Sequence, residues 1–137
     1  MFITRASRHD RADVAAFLQD QGWTGEEAPS GTVFFAREGA VVGCVRLVEV
    51  APQTLVVEDM VVDAQRRRRG IGRSLMQAAM NSRGGALYVR TDEAFAPFFE
   101  RLGFTAVGPG DIPDPITTYL GGGGAAGGGH TVLRARA

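Results

Sequence analysis

The sequence predicts an α/β fold: a mixed, mostly antiparallel sheet of six to seven strands flanked by helices, with one parallel pair at its centre. Three observations carry this. Between residues 32 and 62, β-branched and apolar runs alternate with short polar turns, the pattern of an antiparallel meander. From residue 55 onward the order changes to strand, glycine turn, helix and strand, which a right-handed crossover converts into a parallel pair. Near the end, residues 104–107 and 130–136 alternate again and read as two antiparallel closing strands.

Each element has its own signal. Phe2-Ile3-Thr4-Arg5 alternates as a short strand, and Ser7 or Asp10 can cap a helix reaching about Asp20 with Val14, Phe17 and Leu18 on one face and Gly22 at its end. Residues 23–31 form a polar, Pro/Gly-containing connection. The runs 32–37 and 40–50 are joined by Glu38-Gly39, a hairpin signal, and Ala51-Pro52-Gln53 turns the chain into a strand over 55–62. Residues 73–80 are rich in helix formers, with Leu75/Ala79 and Met76/Met80 four apart. Asn81 to Gly85 stops that helix, residues 86–90 read as a strand, and Phe95, Phe98, Phe99 and Leu102 have helical spacing up to Gly103. Residues 108–129 are dominated by Gly, Pro and Ala, and are expected to be a flexible loop before the last strand over 130–136.

Composition bounds the function. At 137 residues the chain suits one domain, residues 1–137, and 45% hydrophobic with 22% charged residues is ordinary for a soluble globule. No apolar stretch approaches the roughly 20 residues that cross a bilayer, and Arg5, Arg8, His9, Asp10 and Arg11 interrupt any signal-peptide core, so the expected compartment is cytoplasmic with no membrane partner. A lone Cys44 excludes an intrachain disulfide and a cysteine-built zinc site, and no metal is expected. The 15 basic residues are all Arg and the formal charge is zero, which argues against general nucleic-acid binding. The late strand pair leaves an edge that a homodimer could use.

Positive charge is instead focused in Gln65-Arg66-Arg67-Arg68-Arg69-Gly70-Ile71-Gly72-Arg73, between a strand and a helix. Two glycines let the backbone turn sharply and approach a ligand, and the first N–H groups of the helix point outward at its positive end. The result is an anion cradle whose arginines can pair with phosphate oxygens two at a time. A P-loop would need a Lys, which the chain lacks. A dinucleotide fingerprint would need a third glycine where Leu75 stands.

The remaining pattern, Arg67-Arg68-Arg69-Gly70-Ile71-Gly72, resembles the turn of the GCN5-related N-acetyltransferases (GNAT), which holds the pyrophosphate of coenzyme A. Phe98-Phe99-Glu100-Arg101-Leu102-Gly103-Phe104 resembles that family's later F-Y-x-x-x-G-F segment. The resemblance covers residues 2–107 plus the last strand. It implies a GNAT-like sheet with its parallel pair splayed at the cofactor, and acetyl-CoA or coenzyme A as cofactor. It further implies binding by Met60, Val61 and Val62 on the strand, by Arg67, Arg68, Arg69, Gly70, Ile71, Gly72, Arg73 and Ser74 in the cradle, and by Asp92, Phe98 and Phe99 later on.

Acyl transfer to an amine requires a neutral nucleophile, and alkylammonium groups have pKa values near 10, so a carboxylate is the natural proton acceptor. Glu58 is the first candidate and Asp59 the second. On a regular strand they face opposite sides unless a bulge intervenes, and the family commonly carries a bulge on this strand. Where the family often has a Tyr that protonates the leaving thiolate, this chain has Phe99. Tyr88 and Tyr119 are the substitutes to consider, with Tyr119 taken as the catalytic candidate, although a thiolate can also leave unaided. Asp92 stands where the family often has the Asn that contacts the pantetheine arm. Cys44 reads as a small buried hydrophobe, and His9 and His130 as solvated. Trp23 has two readings, a lining of the acceptor pocket or a core anchor. The expected activity is direct acetyl transfer from acetyl-CoA to a primary amine of a small acceptor. The alternative is a coenzyme A-binding regulatory protein with weak or lost catalysis.

Overall fold

The structure, a computed structural model, describes residues 1–23, 31–82, 84–120 and 130–136. Its strands are β1 (Phe2–Arg5), β2 (Thr32–Glu38), β3 (Ala40–Ala51), β4 (Thr54–Val62), β5 (Ala86–Asp92), β6 (Thr105–Ala106) and β7 (His130–Arg136). Its α-helices are α1 (Arg11–Asp20), α2 (Ile71–Ser82), α3 (Ala96–Glu100) and α4 (Asp114–Tyr119). The strands lie in the order β1-β2-β3-β4-β5-β7-β6, with β4 parallel to β5, so the mixed sheet has the form the sequence predicts. The chain divides into two compact units, Met1–Val48 with Glu58–Ser82, and Glu49–Val57 with Arg83–Ala137.

In the first unit, β1 and β2 pair antiparallel, as do β2 and β3. Gly39, at φ 78, makes the hairpin between β2 and β3, a conformation that glycine adopts without steric cost. Helix α1 buries Val14, Phe17 and Leu18 against Val33, Phe35, Val41 and Cys44. Each such apolar side chain contributes about 1.5–3 kcal/mol on burial. Asp10 does not cap the helix; its Oδ2 accepts from the Ser7 amide and hydroxyl, both at 2.9 Å, and so fixes the turn before it. At the other end Trp23 donates to the Leu18 carbonyl at 2.8 Å with Gly22 at φ 84 between them, the usual glycine stop. Trp23 is 40% exposed and is therefore not a core anchor.

In the second unit, β4 and β5 pair through Thr54, Leu55 and Val56 opposite Ala86, Leu87 and Tyr88. Gly85 opens this pair, because at φ 105 a Cβ would stand 2.4 Å from the Gln53 carbonyl oxygen. Strand β7 pairs antiparallel with β5 along its length and with β6 at Thr105 and Ala106, so the last strand closes beside residues 104–107 as expected. Helix α3 ends with Gly103 at φ 99 and with the Phe104 amide donating to the Phe99 carbonyl at 3.2 Å.

One expectation is corrected. Residues 109–119, read as part of a loop, carry a 3-10 turn over Pro109–Asp111 and helix α4. Prolines stand at the start of both, where a missing N–H costs nothing, and Ile116 is fully buried with Val56, Tyr88, Val107 and Val132. The glycine-rich stretch 121–129, most of the connection after Trp23 and Arg83 in the helix stop lie outside the described residues.

Candidate active site

The cradle is built from β4 outward. Asp63 follows the strand and caps a 3-10 turn over Ala64–Arg66; its Oδ1 accepts the Gln65 amide at 3.0 Å and its Oδ2 accepts from Arg66 at 2.7 Å. The Asp63 amide donates to the Val42 carbonyl at 2.8 Å. Val42 is the extra residue where the β2–β3 register shifts, with Ala36 opposite Gly43 and Arg37 opposite Val41. Arg68 at φ 67 and Gly70 at φ 81 then turn the backbone through left-handed conformations into α2. The helix begins at Ile71, two residues before the predicted stretch.

Its first amides are uncommitted. Ser74 donates to the Gly70 carbonyl at 3.0 Å, whereas the amides of Ile71, Gly72 and Arg73 have no acceptor among the described residues. Arg67, Arg68 and Arg73 are exposed and in no ion pair among the described residues. Arg69 is also exposed but donates to Glu38 at 3.2 Å, and Arg66 is held by Asp63, so these two guanidinium groups are partly engaged already. Three free N–H donors at the positive end of a 12-residue helix, with three exposed arginines on the same turn and first helical residues, match the donor set of a diphosphate. Gly43 on β3 seats this end of the helix, since a Cβ there would lie 2.9 Å from Leu75 Cδ1 and 3.2 Å from Ile71 Cγ2.

The two candidate bases have different surroundings. Asp59 sits at φ 50 inside β4, a left-handed residue that breaks the regular alternation as a bulge does. Its carboxylate is 5% exposed and accepts from Arg46 Nε at 2.7 Å, while its carbonyl accepts from Cys44 Sγ at 3.5 Å. Glu58, just before the break, is half-buried. Met60, Val61 and Val62, just after it, are half-buried too. Cys44 is buried, and burial together with the Asp59 charge pushes its thiol up to about 12, so it is not a nucleophile at neutral pH. Arg46 and Gly43 were not singled out in the sequence; the signal for the first is a charged residue between Val45 and Leu47 in an otherwise buried strand.

The later site residues lie in the second unit. Phe99 is 2% exposed, with Phe95, Phe98 and Phe104 packed around it at ring-centroid distances of 5.7, 5.1 and 5.5 Å. Phe98 is half-buried. Asp92 is exposed, and its Oδ1 accepts the Phe95 amide at 2.8 Å, so the carboxylate caps the turn into α3. Tyr119 ends α4 and is exposed, whereas Tyr88 is buried in the apolar cluster around Ile116.

A family model described as an acetyltransferase (GNAT) domain matches residues 29–106, which contain β4, the cradle and the Phe98 to Phe104 segment. The chain belongs to the GNAT acetyltransferases. No curated protein matches it. Among solved structures, Rv2747 of Mycobacterium tuberculosis, in complex with CoA, is 16% identical with a TM-score of 0.77, over 100% of this chain and 99% of that one. An aminoglycoside 6'-N-acetyltransferase complexed with coenzyme A is 18% identical with a TM-score of 0.72, over 99% and 97%. The GNAT family protein SP0256 of Streptococcus pneumoniae TIGR4 is 28% identical with a TM-score of 0.67, over 82% and 92%. These likenesses establish the GNAT fold. No helix among the described residues is long and apolar enough to cross a membrane.

Proposed function

We propose that this GNAT protein acts as one cytoplasmic acetyltransferase domain that moves an acetyl group from acetyl-CoA directly to a primary amine of a small acceptor. The observation that carries the reading is the set of uncommitted amides at Ile71, Gly72 and Arg73, on a turn that also carries the exposed Arg67, Arg68 and Arg73. Those donors would hold the diphosphate, and acetyl-CoA, when bound, supplies the activated thioester. The solved relatives that carry coenzyme A support the same cofactor.

Glu58 is the proposed base. An amine that is protonated at neutral pH must lose a proton before it attacks, and a half-buried carboxylate beside a backbone break can accept it directly or through water. Asp59 is the poorer candidate, because its side chain is only 5% exposed and so gives a substrate little access. Phe99 offers no proton, and an exposed Tyr119 is the remaining phenol for the leaving thiolate.

A second reading, a coenzyme A-binding regulatory protein with little turnover, is favoured by one observation: Phe99 is boxed in by other rings. Acetyl-CoA consumption across a panel of amines, comparing the native chain with Glu58→Gln, separates the two. Turnover that drops about 100- to 10,000-fold in the variant supports catalysis with Glu58 as base. Tight CoA binding with no amine accepted supports the regulatory reading.

A further inference from the structure

The ion pairs Arg37–Asp13, Arg66–Asp63 and Arg69–Glu38 all keep substantial exposure to solvent. The pair Arg46–Asp59, by contrast, has side chains only 13% and 5% exposed. It lies between β3 and the one residue of β4 that is left-handed. A non-glycine residue in that conformation is disfavoured, and persists where its surroundings over-determine it. Here they do so from both ends of the residue. Arg46 holds the Asp59 carboxylate at 2.7 Å, and Cys44, two positions earlier and so on the same side of β3, donates its thiol to the Asp59 carbonyl. Two apolar side chains of similar volume would suit a buried site at least as well energetically. What the charged pair adds is therefore geometric: it fixes a conformation that no apolar contact would specify.

We infer that Arg46 is a positioning residue for acyl transfer, which by pairing with Asp59 holds the break in β4 and so sets how Glu58, the residue just before the break, is presented. The inference rests on the proposed function. It gives Asp59 a task that is not proton transfer, which divides the work of the two adjacent carboxylates. A left-handed residue within a strand re-aims the side chain beside it, and loss of the pair releases that side chain. Misplacement of a reacting group by about an ångström is enough to lower turnover by about 100-fold while cofactor binding elsewhere persists.

The test compares native protein, Arg46→Met and Arg46→Met/Asp59→Gly, with CoA affinity by calorimetry, kcat on an accepted amine, and the alkylation rate of Cys44, the sole cysteine. Arg46→Met should lower kcat by roughly 10- to 100-fold with little change in CoA affinity, and should speed alkylation of the buried thiol. The added glycine adopts the left-handed conformation freely and removes the stranded carboxylate, so it should restore part of kcat and slow alkylation again. Asp59→Asn should lower kcat yet keep the acidic limb of the pH–rate profile, which Glu58→Gln should abolish. If Arg46→Met does not fold, Arg46→Met/Asp59→Asn, which buries no charge, takes its place. Native turnover and native alkylation in the Arg46 variant overturn the inference, as does a double variant no better than the single one. If no amine is accepted, the alkylation comparison alone decides, equal rates in all three overturning it. Native protein that takes up no CoA overturns the functional reading and this inference together, whereas CoA binding with unaffected variants overturns only the inference.

Discussion

Gly43→Ala tests whether the cradle depends on how α2 is seated. The added Cβ would lie 2.9 Å from Leu75 Cδ1, 3.2 Å from Ile71 Cγ2 and 3.3 Å from the Val61 carbonyl oxygen. Leu75 and Ile71 are both buried, so neither methyl can swing into solvent, and the carbonyl belongs to β4. The first turn of the helix must move outward or the side chains must leave their preferred rotamers. Overpacking of this kind costs about 1–3 kcal/mol. An unfolding entropy of about 2.1 cal/mol/K per residue converts this to a loss of roughly 3–10 °C in Tm for a chain of 137 residues. Because Ile71 is itself the first helical residue, CoA affinity should fall with stability. Thermal unfolding and CoA calorimetry on the same preparation read both. A variant with native Tm and native CoA affinity would refute the idea that Gly43 positions the helix start.

Three further outcomes follow from the packing. Cys44, pushed from 9.0 up to about 12 by burial first and the Asp59 charge second, keeps its proton in the folded state where the unfolded chain has lost it. Its contribution is therefore whole below pH 9.0 and is lost as pH rises toward about 12, by at most about 4 kcal/mol; urea unfolding of Cys44→Ala should lack that slope. Gly85→Ala sets a Cβ 2.4 Å from the Gln53 carbonyl oxygen at φ 105, a backbone clash at the start of the parallel pair, and should cost about 2–4 kcal/mol in chemical denaturation. Phe99→Tyr places a hydroxyl in a ring cluster and should cost about 1–3 kcal/mol with no gain in acetyl transfer; faster turnover would show that the phenol reaches the leaving thiolate.

Local periodicity made much of the fold legible. Val14, Phe17 and Leu18 at helical spacing are the buried face of α1, and Glu38-Gly39 and Gly103 mark a hairpin and a helix end. The strand, glycine turn, helix and strand order gave the parallel pair because handedness leaves few alternatives. What stayed hidden depends on partners distant in sequence. Helix α4 is short and proline-rich, and its burial of Ile116 against Val132 depends on a strand that lies past the glycine-rich stretch. The Arg46–Asp59 pair depends on strand register, which no local pattern specifies. Gly72 in the first turn disguised the true start of α2, although a residue there needs little helix propensity when packing at Ile71 and Leu75 holds the turn.

The most direct measurement is an amide-resolved NMR titration with coenzyme A and, separately, with pantetheine, which lacks the diphosphate. The Ile71, Gly72 and Arg73 amide resonances should move strongly with coenzyme A and hardly at all with pantetheine. Resonances at these positions that stay still while coenzyme A binds elsewhere would contradict diphosphate binding at the start of α2.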